Sequence, residues 1–343
     1  MRKLSLKRQQ HLNKWSQRIE SVRRVHPSVS KRPQAAPKSH KIWAPREFDL
    51  IETDDRHHTL KFLQELRQKM LRIRGAEIVI DFSRTVKLHA AGTLLFSAEL
   101  RRMLRHTGGE VRLRCVLPEN EKVSQVFEQV GIYKLFGVSG VISPVDDDVV
   151  HWRFAHGHKV EGERYEDVLA EYDGDISEEL QESLFKGMTE AMTNVINHAY
   201  LLPREDGCAV EDRKEWWMFS HFRNEKIGVV FCDLGAGIPR TLPLRRKELW
   251  ARLLRFGRTT DHSAIENAVK DSISRTGLSH RGKGLGQIFS TVRAVEGAEV
   301  VVFSNFGVFA RTKTGGTVRK AYGDSIMGTL IHWTIPLQLK EQS

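Results

Sequence analysis

The chain has 343 residues, 40% hydrophobic and 28% charged, enough apolar material for packed cores and a length that suggests two domains. No run approaches 18 apolar residues, so no transmembrane helix is expected, and the N-terminus lacks the apolar centre of a signal peptide. The net charge of +11 has one source, because residues 1–47 hold 13 Lys or Arg against 2 acidic residues while the remainder is neutral; the folded part is therefore not a broad basic surface.

Residues 1–26 read as a basic helix with sparse apolar positions at Leu4, Leu12, Trp15, Ile19 and Val22. Residues 27–46 contain Pro27, Pro33, Pro37 and Pro45 and read as an extended linker. An arm of this composition over 1–47 suits nucleic-acid phosphates, a docking partner protein, or a solvated tail, and the sequence leaves these open. Residues 48–145 read as a small α/β domain. Helices are expected over 58–71, 91–104 and 120–130, with strands over 77–82 and 111–116 and a turn at Gly108-Gly109. That alternation implies a parallel or mixed sheet with helices against it. Residues 146–175 read as a linker. His151, His156 and His158 cluster there without a nearby Cys or a helical i,i+4 pair, so their pattern does not favour a metal site. Cys115, Cys208 and Cys232 form no C-x-x-C pair, which argues against a zinc or disulfide framework and for a reducing cytoplasm.

A long helix is expected from Ser177, a good N-cap, with Glu178 and Glu179 in the first turn where the helix dipole favours anions. Leu184, Met188, Ala191, Met192, Val195 and Ala199 share one face, and Glu190, Asn194 and Asn197 lie opposite. Taken alone, this is equally the pattern of a solvated amphipathic face. A polar loop over 201–215 follows, then a hairpin of 216–222 and 227–232 about Asn224-Glu225-Lys226. The second strand runs into Asp233-Leu-Gly235-Ala-Gly237-Ile-Pro239. A carboxylate at a strand end can accept a hydrogen bond from an exocyclic amine, and glycine lets a ring approach the backbone. Helices are expected over 243–256 and 263–274. Gly282-Lys283-Gly284-Leu285-Gly286 then opens an apolar-periodic segment, offering backbone N–H groups and a cation to an anion. It is neither a Walker A loop nor the G-x-G-x-x-G pattern. Strands over 299–303, 308–311 and 329–336 complete the chain, and no internal repeat is visible.

These blocks, in this order, resemble the GHKL ATPases, the family of gyrase B, MutL, heat-shock chaperones, histidine kinases and anti-sigma-factor serine kinases. Glu190 to Tyr200 resembles the N box. Asp233 to Pro239 resembles the first glycine box, Gly282 to Gly286 the second, and Gly328-Thr329 begins a matching terminal strand. The resemblance covers about 175–338. It implies that Glu190 is the general base acting on water, that Asn194 is the protein ligand to magnesium, and that Asp233 binds the adenine amino group with help from Thr329. It further implies that Gly235 and Gly237 shape the base pocket and that Gly282, Lys283, Gly284, Leu285 and Gly286 wrap the phosphates. Residues 259–281 would be the ATP lid, with Arg275, His280 and Arg281 as candidate cations.

Residues 75–137 resemble a STAS domain, the fold of anti-anti-sigma factors. The resemblance is carried by Ile78-Val-Ile-Asp81-Phe-Ser, Leu88-His89-Ala90-Ala91-Gly92, the Gly-Gly turn, and Val126-Phe-x-x-Val-Gly131-Ile. The family commonly has Asp-Ser-Ser-Gly at the helix start, with a phosphorylatable serine. Here Ala90 and Ala91 have no hydroxyl, which implies a fixed docking or dimerisation module rather than a phospho-switch.

The expected architecture is α/β: a STAS-like α/β domain followed by a GHKL ATP-binding α/β sandwich, a mixed sheet with helices on one face. The expected function is magnesium-dependent ATP binding and hydrolysis by a regulatory protein. Its lid would respond to nucleotide, with a protein partner or a second copy met through the STAS-like domain. A serine/threonine protein kinase of the anti-sigma type and a non-catalytic ATP-responsive scaffold are the alternatives. A histidine kinase is disfavoured, because His57 and His58 sit ahead of the STAS-like unit rather than in a helical hairpin just upstream of the ATP-binding region.

Overall fold

The computed structural model describes residues 39–73, 77–164, 168, 178–208, 213–257, 259–274 and 284–336. The expected basic helix over 1–26, the Ser177 cap, Gly282, Lys283, Arg275, His280 and Arg281 lie outside these residues.

The N-terminal layer runs β1 (Ser39–Trp43), β2 (Glu47–Phe48), α1 (Thr53–Arg72), β3 (Glu77–Asp81), β4 (Lys87–Leu88), α2 (Ala90–His106), β5 (Arg112–Val116), α3 (Glu121–Gln129) and α4 (Ile132–Leu135). Strands β1, β3 and β5 form a parallel three-stranded sheet in that order. Strand β1 corrects the expectation of a linker through residue 46. Within the proline-rich stretch, Ile42 is the one fully buried residue of Ser-His-Lys-Ile-Trp, and a five-residue edge strand offers no longer pattern to read. The start of α3 follows ordinary capping, since the Asn120 side chain accepts from the Val123 N–H at 3.0 Å.

After α5 (Asp147–Val150) come β6 (Arg153–Gly157), α6 (Glu178–Asn194), β7 (Trp216–Arg223), β8 (Lys226–Asp233), α7 (Ile238–Arg245), α8 (Lys247–Arg255), α9 (Asp261–Ser274), α10 (Gly284–Ala294), β9 (Glu299–Ser304), β10 (Gly307–Arg311), β11 (Thr317–Ala321) and β12 (Thr329–Pro336). Their sheet has the order β11-β10-β9-β12-β8-β7-β6. Every neighbouring pair is antiparallel, so the sheet is not mixed as expected. The reason is connectivity. Short hairpins join β7 to β8, β9 to β10 and β10 to β11, and β12 slots between β9 and β8 running against both. Asn224 and Glu225 turn the first hairpin with φ of 51° and 57°, the two left-handed residues of a type I′ turn.

Helices α6, α9 and α10 pack on one face of this sheet. Leu184, Met188, Ala191, Met192 and Val195 meet Trp216, Met218, Val229, Phe231, Ile331 and Trp333. The opposite face is also covered, which departs from the expected one-sided sandwich. Trp217, Phe219, Val230, Cys232, Phe303 and Leu330 share a single apolar cluster with Leu94, Leu95, Phe96 and Ala98 of α2. Burial on both faces explains why β8 reads as a continuous apolar run rather than an alternation. The described residues, 39 to 336, accordingly belong to one compact unit. Polar ties reinforce the junction. The buried Arg56 of α1 donates to the Leu50 and Asp324 carbonyls at 3.1 Å, and the Tyr322 hydroxyl donates to the Ile51 carbonyl at 2.7 Å. Among the described residues no helix is long and apolar enough to cross a membrane.

Candidate functional site

The apolar stripe of α6 fixes which way its other side looks. With Met188, Met192 and Val195 held against the sheet, Glu190 and Asn194 turn together, one helical turn apart, into a cavity of about 680 Å³. After Asn194 the helix widens into a π-turn, Val195–Ala199, and Asn197 and His198 line the same cavity. Such single wide turns recur at functional sites because they redirect side chains without ending the helix.

The π-turn is fastened to the first glycine segment. The Ala236 N–H donates to the Ala199 carbonyl at 2.8 Å. A Cβ on Gly235 would lie 2.3 Å from that same carbonyl oxygen, so only glycine allows the approach. Gly237 follows with φ of +82° and lines the cavity.

Asp233 ends β8 opposite Thr329, the first residue of β12, and both line the cavity. Its carboxylate accepts from the Gly235 N–H at 2.9 Å and is also hydrogen-bonded by Thr329. Burial pushes the Asp233 carboxyl up to about 6, against the hydrogen bonds from Gly235 and Thr329 and the charge of Arg204. Asn305 binds the two segments. Its Nδ2 donates to the Ala236 carbonyl at 2.9 Å and its Oδ1 accepts from the Gly328 N–H at 3.3 Å.

From the second glycine segment, Leu285 reaches the cavity. Gly284 opens α10, and the Gly286 N–H donates to Ser272 Oγ at 2.9 Å. A Cβ on Gly286 would lie 2.7 Å from the backbone of Ile273, so glycine here lets α10 press against the end of α9. Glu190, Asn194, Asp233, Gly237, Leu285 and Thr329 thus share one hollow, while Gly235 and Gly286 act behind its wall.

Two arginines that the motif reading did not single out also line the cavity. Arg245 donates to the Asn197 carbonyl at 2.5 Å, and Arg246 pairs with Asp271 at 3.2 Å. His198 sits within their field and that of Lys214. Burial first, and then these three cations, hold its imidazole below the usual range. Its Nδ1 is buried with no hydrogen-bond partner among the described residues. The only sequence signal was the basic run Arg245-Arg246-Lys247, which is also what a solvated helix end looks like.

In the N-terminal layer, Ala90 and Ala91 at the start of α2 are buried. A Cβ on Gly92 would lie 2.3 Å from the Phe48 carbonyl oxygen, and the buried Thr93 gives its hydroxyl to the His89 carbonyl at 2.8 Å. His151 stands edge-on to Phe222, and His156 lies beside Phe154. Among the described residues no group of three or more His, Cys, Asp or Glu is gathered to hold a metal. No protein-family model matches the chain, and no curated protein matches it.

Proposed function

We propose that this chain is a magnesium-dependent ATP-binding and ATP-hydrolysing protein of the GHKL type, acting in the cytoplasm. One observation carries the reading: Glu190, Asn194 and Asp233, from two separate sequence blocks, line a single cavity of small-molecule size. A buried carboxylate ringed by glycine backbone suits the amino edge of adenine. Arg245 and Arg246, which line the cavity, supply positive potential for a polyphosphate.

In the proposed reaction Glu190 takes a proton from water as the water oxygen attacks the γ-phosphorus. The bond to the β,γ-bridging oxygen breaks, and ADP leaves with the electron pair. The Asn194 carboxamide oxygen, a hard donor, would hold magnesium together with nucleotide phosphates and waters. The chemistry magnesium would supply there is neutralisation of charge on the phosphate oxygens. Gly282, Lys283 and Gly284 would add backbone N–H groups and a cation at the phosphates; of the expected lid over 259–281, residues 261–274 form α9, packed on the sheet.

Ala90 and Ala91, buried at the start of α2, carry no hydroxyl, which favours a docking or dimerising layer over a phospho-switch. Residues 1–47 supply the charge for nucleic-acid phosphates or an acidic protein.

The test is incubation with γ-labelled ATP and magnesium, following free phosphate and protein-bound label together. Release of phosphate is the expected result. Label on protein instead would establish the anti-sigma-type kinase reading, and tight binding without either would establish a nucleotide-responsive scaffold. An absence of ATP binding would overturn all three.

A further inference from the structure

We infer that Glu99 and Arg204 are positioning residues for the base-recognising end of the cavity, so that the N-terminal layer sets the placement of Thr329 against Asp233. The inference rests on the nucleotide reading of the cavity. Glu99 projects from α2 and has no solvent exposure. Its Oε1 accepts from Arg67 Nη1 of α1 at 2.8 Å and also from Arg204 Nη2. Arg204 follows the π-turn of α6, and its side chain is only 5% exposed.

From there the contacts run straight to the site. Arg204 Nε donates to the Met327 carbonyl at 2.6 Å, and Nη2 reaches the Ile326 carbonyl at 3.4 Å. Arg67 Nη2 meets Met327 Sδ at 3.5 Å. Met327 is held at φ of +53°, and the next residue, Gly328, packs so closely that a Cβ would lie 2.3 Å from the Asp233 carbonyl oxygen. The Gly328 carbonyl accepts from Ser304 Oγ at 3.1 Å, and that oxygen lies 3.1 Å from Thr329 Oγ1. The turn that starts β12 is therefore gripped from behind by an ion pair whose acidic member belongs to the other layer. A buried pair of this kind holds only while both members are present, because either alone is an uncompensated charge. Asp206 closes the group, paired to Arg204 at 3.3 Å and to Arg102 of α2.

Arg204 also acts through space. Asp233 is faced by Thr329 of β12, Cys232 of its own strand, Tyr200 at the end of the π-turn, and Arg204. The guanidinium favours the ionised carboxylate, and Glu99 tempers the guanidinium. The two charges should therefore push Asp233 in opposite directions, which a merely structural strut would not do.

The experiment is calorimetric titration of the full chain with Mg-ATP from pH 5 to 8, for wild type, Glu99→Gln, Arg204→Gln and Arg204→Lys. Wild-type affinity should fall as pH drops through the Asp233 midpoint. Glu99→Gln should move that midpoint down, and Arg204→Gln should move it up, each by about half a unit or more. Arg204→Lys, which keeps the charge, should leave the midpoint near wild type while weakening affinity. Equal midpoints in all four proteins, or shifts of the same sign for the Glu99 and Arg204→Gln variants, overturn the inference. If Glu99→Gln does not fold, the contrast between the two Arg204 variants decides. If wild type binds no ATP at any pH, the nucleotide reading fails on its own. The same shifts are then read from the carbon-13 titration of the Asp233 carboxyl in the nucleotide-free proteins.

Discussion

Asp233 shows how the cavity keeps an acidic group against the fold's own interest. Its carboxyl titrates near 6 in the folded chain against an ordinary 3.8, because burial disfavours the charge more than its hydrogen bonds restore it. A carboxyl raised on folding gives stability that is whole below the unfolded value and lost as pH climbs through the folded one. Between about pH 4 and 7 the nucleotide-free protein should therefore lose on the order of 3 kcal/mol at this one residue. Asp233→Asn should melt a few degrees higher than wild type at pH 7, by calorimetry without nucleotide. The same variant should bind ATP roughly tenfold or more weakly, since its amide presents a donor where the carboxylate offers only acceptors. Glu190 and Asn194 separate differently. Glu190→Ala should keep Mg-ATP affinity and lose about 10²–10⁴-fold in phosphate release, and unchanged turnover would remove Glu190 from the role of base. Asn194→Ala should bind ATP with an affinity that no longer responds to magnesium.

The element that organises these residues is α6 with its π-turn, and its surroundings explain what the sequence could and could not disclose. The apolar stripe from Leu184 to Val195 was legible because a helix packed on a sheet must repeat near 3.6 residues, and all its predicted members are buried. Asp233-x-Gly235-x-Gly237 was legible because close backbone approach leaves glycine as its trace. Arg204 and Asn305 were not, because their roles lie in contacts to Met327 and Ala236 that are distant in sequence and carry no periodicity. Strands β1, β6 and β11 were missed for a related reason. They are short and lie toward the sheet edges, and every residue of β11 is exposed, so partner strands rather than hydrophobic pattern decide their conformation. The tightest joint of the element is the Gly235 contact with the Ala199 carbonyl. Gly235→Ala should cost roughly 1–3 kcal/mol in urea unfolding and abolish measurable ATP binding, by prising the π-turn from the end of β8. Normal affinity in a destabilised Gly235→Ala protein would show that the joint serves the fold alone.

At the scale of the whole molecule, the seven-stranded sheet is covered twice, by α6, α9 and α10 on one side and by the N-terminal layer on the other. The separate alternations of the two halves were readable, but the apolar residues they share across the junction were not, since each half shows a plausible core by itself. A chain beginning at residue 146 would uncover Trp217, Phe219, Val230 and Leu330. It should bind an apolar dye and self-associate on size exclusion, whereas a well-behaved monomer would show that the layer is separable. The central claim is that adenine meets Asp233 while the triphosphate meets Glu190 and Asn194 in one cavity. It is tested most directly by a crystal structure with magnesium and a non-hydrolysable ATP analogue. The expected result is the adenine amino group within hydrogen-bond distance of the Asp233 carboxylate and magnesium on the Asn194 oxygen. Nucleotide bound elsewhere, or with its base turned away from Asp233, would contradict it.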